Sequence, residues 1–225
     1  MKVLVMNCSP VRNGATAEIV NIVTACLEKK YDVKSICIDD YDIKFCKGCR
    51  TCHSTAKCVQ KDDVDMIIEQ YEWADIVISV SPSYWADVPG QFKVFIDRCT
   101  PWCNTHEPHA KLSSGKKGYV IALRTGPSMK ECERIIASIE HFYGHMEIEC
   151  CDSLGLCSVE YKEDLDCRKE EIIEFCSLIE LVFYCILQIF LKELRIGGKI
   201  DSKSYFRGCS PTCELGNSNV GITHS

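Results

Sequence analysis

Four cysteines fall within the thirteen residues Cys46-Lys47-Gly48-Cys49-Arg50-Thr51-Cys52-His53-Ser54-Thr55-Ala56-Lys57-Cys58, at the spacing C-x2-C-x2-C-x5-C. Three thiolates separated by two residues each can face one small object only if the backbone curls around it, and Gly48 permits that tight path. A fourth thiolate, six positions on, completes a tetrahedral set. Compact runs of this kind hold iron–sulfur clusters, whose irons take thiolate ligation and whose range of potentials suits electron transfer. The same four sulfurs could instead bind a zinc ion or stand as free thiols.

Two further stretches carry chemistry. Ser9-Pro10-Val11-Arg12-Asn13-Gly14-Ala15-Thr16 lies between an apolar run and a helical pattern. A strand, a loop of small residues with one arginine, and then a helix would bring backbone N–H groups and a helix N-terminus around a phosphate. Ser9, Asn13 and Thr16 would add side-chain donors and Arg12 a charge. The loop is neither the Gly-x-Gly-x-x-Gly of dinucleotide sites nor a Walker A loop. Its plainer reading is an ordinary turn with Thr16 as the helix N-cap. The second stretch, Ser81-Pro82-Ser83-Tyr84-Trp85-Ala86-Asp87-Val88-Pro89-Gly90, follows a near-continuous apolar run. Open α/β sheets bind ligands at that end of a central strand, and a planar ring could stack on its aromatics. Cys103, His106 and His109 have metal-like spacing, but no fourth ligand is evident and the segment reads as a surface loop.

The elements that must position these stretches alternate regularly. Strands are expected at Lys2 to Cys8, Val33 to Ile38, Ala74 to Val80, Lys117 to Leu123 and, less regularly, Glu147 to Leu156. Helices are expected at Ala17 to Lys30, Val64 to Tyr71, Gln91 to Arg98 and Met129 to Tyr143, with Asp62 and Asp63 favouring the N-terminal dipole of the second. That rhythm predicts an α/β fold with a five-stranded parallel sheet.

Composition narrows the function. The chain has 225 residues, a 46% hydrophobic content and a net charge of −6. No basic stripe appears, which argues against nucleic acid as a partner. The apolar start ends at Asn7, too short for a signal peptide, so a cytoplasmic location is expected. There the eighteen cysteines stay reduced, and ligation is favoured over a disulfide framework. Cys26, Cys37 and Cys176 fall where small apolar core residues are expected.

Together these loops resemble the NAD(P)H-dependent FMN reductase family of the flavodoxin-like superfamily, and within it the iron–sulfur flavoproteins. The likeness covers roughly residues 1 to 157. It rests on Asn7 to Thr16, on the cysteine run continuing through Val59-Gln60-Lys61-Asp62-Asp63, and on Ser81 to Trp85 with Gly90-Gln91-Phe92-Lys93 and Ile96-Asp97-Arg98. The resemblance implies a doubly wound sheet in the order 2-1-3-4-5. It implies that Ser9, Arg12, Asn13, Gly14, Ala15 and Thr16 hold an FMN phosphate. Pro82, Ser83, Tyr84 and Trp85 would line the isoalloxazine, and Thr125 and Gly126 would approach it from a third loop. Cys46, Cys49, Cys52 and Cys58 would ligate a [4Fe–4S] cluster. A glycine common in the family just before the last cysteine is replaced here by Ala56-Lys57. Electrons would pass from NAD(P)H or a ferredoxin-like donor through FMN to the cluster, with no separate catalytic acid–base residues. Lys47, Arg50 and Lys57 would ease cluster reduction. A homodimer or homotetramer would bring the cluster of one subunit to the flavin of another. Two alternatives remain: an FMN-dependent quinone reductase without a cluster, and a non-enzymatic thiol or metal redox sensor.

Past residue 157 the likeness fades. A helical extension is expected over 161–196, and an irregular tail with Cys209 and Cys213 over 197–225. The apolar run from Phe175 to Leu191 contains Glu180 and falls short of the ~20 residues that span a bilayer. It reads as a subunit-contact helix rather than a membrane helix.

Overall fold

A computed structural model describes residues 1–179 of the chain. Five strands, β1 (Lys2–Asn7), β2 (Asp32–Cys37), β3 (Ile76–Pro82), β4 (Lys117–Leu123) and β5 (Glu149–Leu156), form one sheet in the order β2-β1-β3-β4-β5. Every pairing is parallel, so the expected 2-1-3-4-5 architecture is the one observed. The helices are α1 (Ala15–Leu27), the single turn α2 (Cys52–Thr55), α3 (Val64–Trp73), α4 (Gly90–Arg98) and α5 (Lys130–His145). Residues 169–179 form a further helix, α6.

Strands β1, β3 and β4 are buried on both faces and are apolar almost throughout, as parallel strands sandwiched by helices must be. On one face Leu4, Met6, Val77 and Val120 meet Ile67 and Tyr71 of α3, Phe92 and Phe95 of α4, and Ile135 and Ile139 of α5. Val3 and Val5 of β1, Ile76, Ile78 and Val80 of β3, and Tyr119 and Ile121 of β4 alternate with these and face the other way, where α1 buries Ile19, Val20, Val23 and Leu27. Helix α6 buries Ile172, Phe175, Cys176 and Ile179. These sit at i, i+3, i+4 and i+7, one stripe of a helix, and Phe175 packs edge-on against Tyr119 of β4 at 6.1 Å.

Small differences from expectation have local causes. Helix α1 stops at Leu27, whose carbonyl accepts the amides of both Lys30 and Tyr31. Strand β5 is irregular because Cys151 is an extra residue, with Gly118 opposite Cys150 but Tyr119 opposite Asp152. The bulge leaves Cys150 and Cys151 half-buried. Cys26 and Cys37 are half-buried as well, so of the three cysteines assigned to the core only Cys176 is fully enclosed. The apolar run beyond Ile179, with the subunit-contact helix assigned to it, and the tail with Cys209 and Cys213 lie outside the described residues. Among the described residues no helix is long and apolar enough to cross a membrane.

Candidate functional site

The sheet brings three loops to one edge, because parallel strands all end on the same side. Neighbouring strands β1 and β3 have their crossovers on opposite faces, the arrangement at which open α/β sheets place a binding crevice. The loop after β1 supplies Ser9 to Thr16. Ser9 is buried, its amide donates to Asn7 Oδ1 at 2.9 Å, and its Oγ accepts the Val11 amide at 3.1 Å. Gly14 takes the N-cap position of α1 and offers no side chain, so no side-chain cap closes this thirteen-residue helix. Thr16 is buried inside the first turn rather than serving as the cap. The amides of residues 15–17 therefore point out of the helix with no backbone partner inside it. A Cβ at Gly14 would lie 3.0 Å from Val11 Cγ1, so a larger residue would push on the loop. Asn13 is exposed and Arg12 turns away from the loop. Arg12 pairs with the Asp40 carboxylate and donates to the Asp39 carbonyl at 3.0 Å, both in the turn after β2.

The loop after β3 is strained. Tyr84 and Asp87 exchange backbone hydrogen bonds of 2.9 and 3.2 Å, and the two residues between them, Trp85 and Ala86, have φ of +56° and +61°. Two successive left-handed residues define a type I′ turn, which normally demands Asn-Gly. Each non-glycine residue held there costs roughly 1 kcal/mol. The result is that Trp85 stands fully exposed and Tyr84 half-exposed. Beside this loop, Thr125 and Gly126 follow β4. A Cβ at Gly126 would lie 2.2 Å from Arg124 Nη2, so the arginine folds directly over the glycine.

Glu131, in the first turn of α5, ties the second loop to the third. Its Oε2 accepts the Ser83 hydroxyl at 2.7 Å and its Oε1 meets Arg124 Nη1 at 3.0 Å. Arg124 also donates to the Ser128 carbonyl at 3.1 Å. Nothing in the sequence singles out Glu131, since one acidic residue early in a helix looks like an ordinary partner of the dipole.

The four cysteines are gathered by different means. Cys46, Cys49, Cys52 and Cys58 line one pocket with Lys47, Arg50, Gln60, Arg98 and Pro101. Between each successive pair sits one left-handed residue: Gly48 at φ +62°, Arg50 at +58° and Ala56 at +53°. Ala56 occupies the place where a glycine was expected, and its conformation shows why glycine suits it. Three sulfurs accept hydrogen bonds. The Gly48 amide donates to Cys46 and the Thr51 hydroxyl to Cys49, each at 3.5 Å, and Arg98 Nη2 donates to Cys58 at 3.4 Å. Bonds from the Thr51 amide and hydroxyl hold the Cys49 thiol below its ordinary pKa. Burial, and then the nearby Cys58, Cys49 and Cys46, push the Cys52 thiol up.

Arg98 is the post to which this loop is fastened. It is 2% exposed, at the end of α4, and its guanidinium is paired in two places with the equally buried Asp62. It also donates to the Lys44 carbonyl at 2.7 Å. Asp62 in turn accepts the Lys44 amide at 3.0 Å, and Asp63 accepts the Asp42 amide at 2.8 Å. These carboxylates thus anchor both ends of the cysteine segment rather than chiefly serving the dipole of α3. Burial pushes Asp62 up, but the bonds from Arg98 and the Lys44 amide outweigh it and hold its pKa below the ordinary value. Lys47 and Arg50 line the pocket as expected, whereas Lys57 does not.

No residue of the three sheet-edge loops lines the thiol pocket. Helix α4 runs between the two regions, from Gly90 after the aromatic loop to Arg98 at Cys58. Nine residues of helix span about 13 Å.

A family model described as NADPH-dependent FMN reductase matches residues 1–149. An iron-sulfur flavoprotein of Archaeoglobus fulgidus is 34% identical over 132 residues, 58% of each chain. An iron-sulfur flavoprotein of Clostridioides difficile is 37% identical over 102 residues, covering 44% of this chain and 45% of that one. The chain thus spans about half the length of the curated relatives it matches. Among solved structures, an FMN-dependent NADH-azoreductase of Bacillus anthracis in complex with FMN superposes with a TM-score of 0.59. It is 13% identical, with 80% of this chain and 99% of that one covered, which speaks for the fold.

Proposed function

The chain belongs to the NADPH-dependent FMN reductase family, and from that membership we propose an FMN-dependent oxidoreductase that also carries a [4Fe–4S] cluster. The observation that carries the reading is the single pocket lined by Cys46, Cys49, Cys52 and Cys58, with three of the sulfurs already receiving hydrogen bonds. Donors to sulfur and nearby positive charge favour the more anionic reduced state of a cluster. Lys47, Arg50 and Arg98 are placed to supply that charge.

The sheet-edge loops fit FMN. The uncapped start of α1 offers the amides of residues 15–17 to a phosphate, and buried Ser9 holds the turn that leads there. Asn13 and the Gly14 turn complete the cradle, while Arg12 joins it only on leaving Asp39 and Asp40. Pro82, Ser83, Tyr84 and Trp85 offer an edge and an aromatic face to a flat ring, and Thr125 and Gly126 border it. FMN held by these loops would supply interchange between a two-electron donor such as NAD(P)H and one-electron partners such as a ferredoxin-like protein or the cluster. The protein's part is to bind, orient and separate the two centres.

Phe45 and Val59 flank the thiols and are exposed, as is Trp85 across α4. That apolar rim supports a homodimer or homotetramer in which each thiol pocket meets the flavin loops of another copy.

The test is anaerobic purification with iron, sulfide and FMN counted per chain. About four iron and four sulfide with one FMN are expected. Cys49→Ala should lose the iron and keep the FMN. Less than one iron per chain after anaerobic reconstitution, with FMN at full occupancy, would leave a flavin reductase without a cluster.

A further inference from the structure

Three of the four pocket thiols receive a protein hydrogen bond, and the fourth, Cys52, faces imidazoles instead. The ligand atoms of Cys52, His53 and His106 all lie within 4.8 Å of one another. The rings of His53 and His106 are 4.2 Å apart and tilted by 53°. His106 Nδ1 sits 2.8 Å from the Cys103 carbonyl. A carbonyl can only accept, so Nδ1 carries the proton and Nε2 presents a bare lone pair. That Nε2 is buried and has no hydrogen-bond partner. Metal-binding histidines are held in this way, with the far nitrogen donating to a backbone carbonyl and the near one free. His109 repeats the pattern behind it. Its Nδ1 lies 3.0 Å from the His106 carbonyl and 3.1 Å from Glu107 Oε1, and its Nε2 is likewise buried without a partner.

We propose that Cys52, His53 and His106 form a mononuclear site for a borderline divalent cation of the zinc class, sharing Cys52 with the four-thiol centre. One thiolate and two imidazoles are a donor set that zinc prefers, at about 2.3 Å to sulfur and about 2.0–2.1 Å to nitrogen. Closing the three atoms to that range needs a shift of about an ångström, and solvent takes the fourth position. Binding releases the Cys52 thiol proton to solvent as the metal–sulfur bond forms. The segments involved, α2 and the connection after α4, already touch, so no rearrangement of the sheet is needed. A thiolate committed to zinc is withdrawn from the cluster, so the two occupancies exclude each other; that consequence rests on the cluster reading above, whereas the cation site stands without it. Sequence spacing alone groups Cys103 with His106 and His109, but Cys103 Sγ is engaged 3.1 Å from Thr105 Oγ1.

The experiment uses the full chain with FMN bound and metals removed, titrated anaerobically with cobalt(II) as a spectroscopic probe and zinc as competitor. One cobalt per chain is expected, with the intense visible bands of tetrahedral coordination and a sulfur-to-cobalt charge-transfer band. His106→Ala and His53→Ala should each weaken binding by roughly tenfold or more, and Cys52→Ala should remove the charge-transfer band. Cys46→Ala and Cys58→Ala should leave the affinity and bands unchanged. Since His53 is exposed, its variant reports on the site even if His106→Ala disturbs folding. The proposal is overturned if cobalt fails to bind below millimolar concentration. It is equally overturned if Cys46→Ala and Cys58→Ala abolish binding while both histidine variants retain it, which would place the ion among the four thiols. Zinc-loaded protein should also resist reconstitution with iron and sulfide, and His106→Ala should not. If no variant ever assembles a cluster, the cluster reading fails while the cobalt result still decides the cation site.

Discussion

The sheet-edge loops and the cysteine segment are built by opposite means. The first are held by strand ends: the ladder continues past β1, β3 and β4 in the bonds from Cys8 to Val80, Ser83 to Leu123 and Arg124 to Leu156. The second has no strand beneath it. Its residues 46–58 rest on a buried ion pair, three left-handed residues and hydrogen bonds to sulfur. A loop that continues a sheet inherits the rigidity of the core. A loop fastened by one guanidinium depends on that group, and the two regions should therefore fail separately.

The sharpest way to break the comparison is at Arg98. Arg98→Met strands the Asp62 carboxylate in the interior and should cost about 3–5 kcal/mol, measured by urea unfolding. Iron retention should fall with it, while FMN affinity of the folded fraction holds. Arg98→Met combined with Asp62→Leu should recover most of the stability but not the donor to Cys58.

Acid should act on the same pair without mutation. Asp62 titrates lower in the folded state than in the unfolded chain, so its contribution is full above the ordinary carboxylate pKa of about 4 and is lost as pH falls through the folded value. Amide exchange in residues 42–60 should accelerate below about pH 4 before exchange in β1 and β3 does. Simultaneous loss of protection in both would mean the segment is not independently fastened.

On the flavin side, Glu131→Gln weakens the link between Ser83 and Arg124. A loss of about 1–2 kcal/mol in stability is expected, with weaker FMN binding and unchanged iron. The smallest changes relieve backbone strain. Ala86→Gly and Ala56→Gly should each add up to about 1 kcal/mol in the cofactor-free chain, read as a rise in Tm. In that chain Cys49, exposed and lowered by Thr51, should alkylate ahead of Cys52, whose thiol burial and neighbouring sulfurs push up. Mass spectrometry after brief iodoacetamide treatment would show the order.

Much of this was legible in the chain. The apolar runs at Lys2, Ile76 and Lys117 can be little else than buried parallel strands, and all five strands appear where the pattern put them. The thiol spacing marked four sulfurs that share one pocket, and Gly48 takes the left-handed turn expected of it. Other features had no local signal. Thr16 looked like a cap and is buried, because α1 starts two residues earlier at Ala15 than its periodicity suggests. The pairing of Arg12 with Asp40, a residue 28 positions away, leaves no local trace in the sequence. Arg98 and Glu131 read as ordinary helix-end charges.

Continuous apolar runs and helical spacings of apolar residues act between neighbours in the chain, so the sequence by itself determined the strands, the helices and the order in which loops reach the sheet edge. Which charges meet, and which imidazoles face Cys52, depend on contacts between residues tens of positions apart. Only the tertiary structure decided those, because burial is what turns a distant arginine, aspartate or histidine into a partner that must be satisfied.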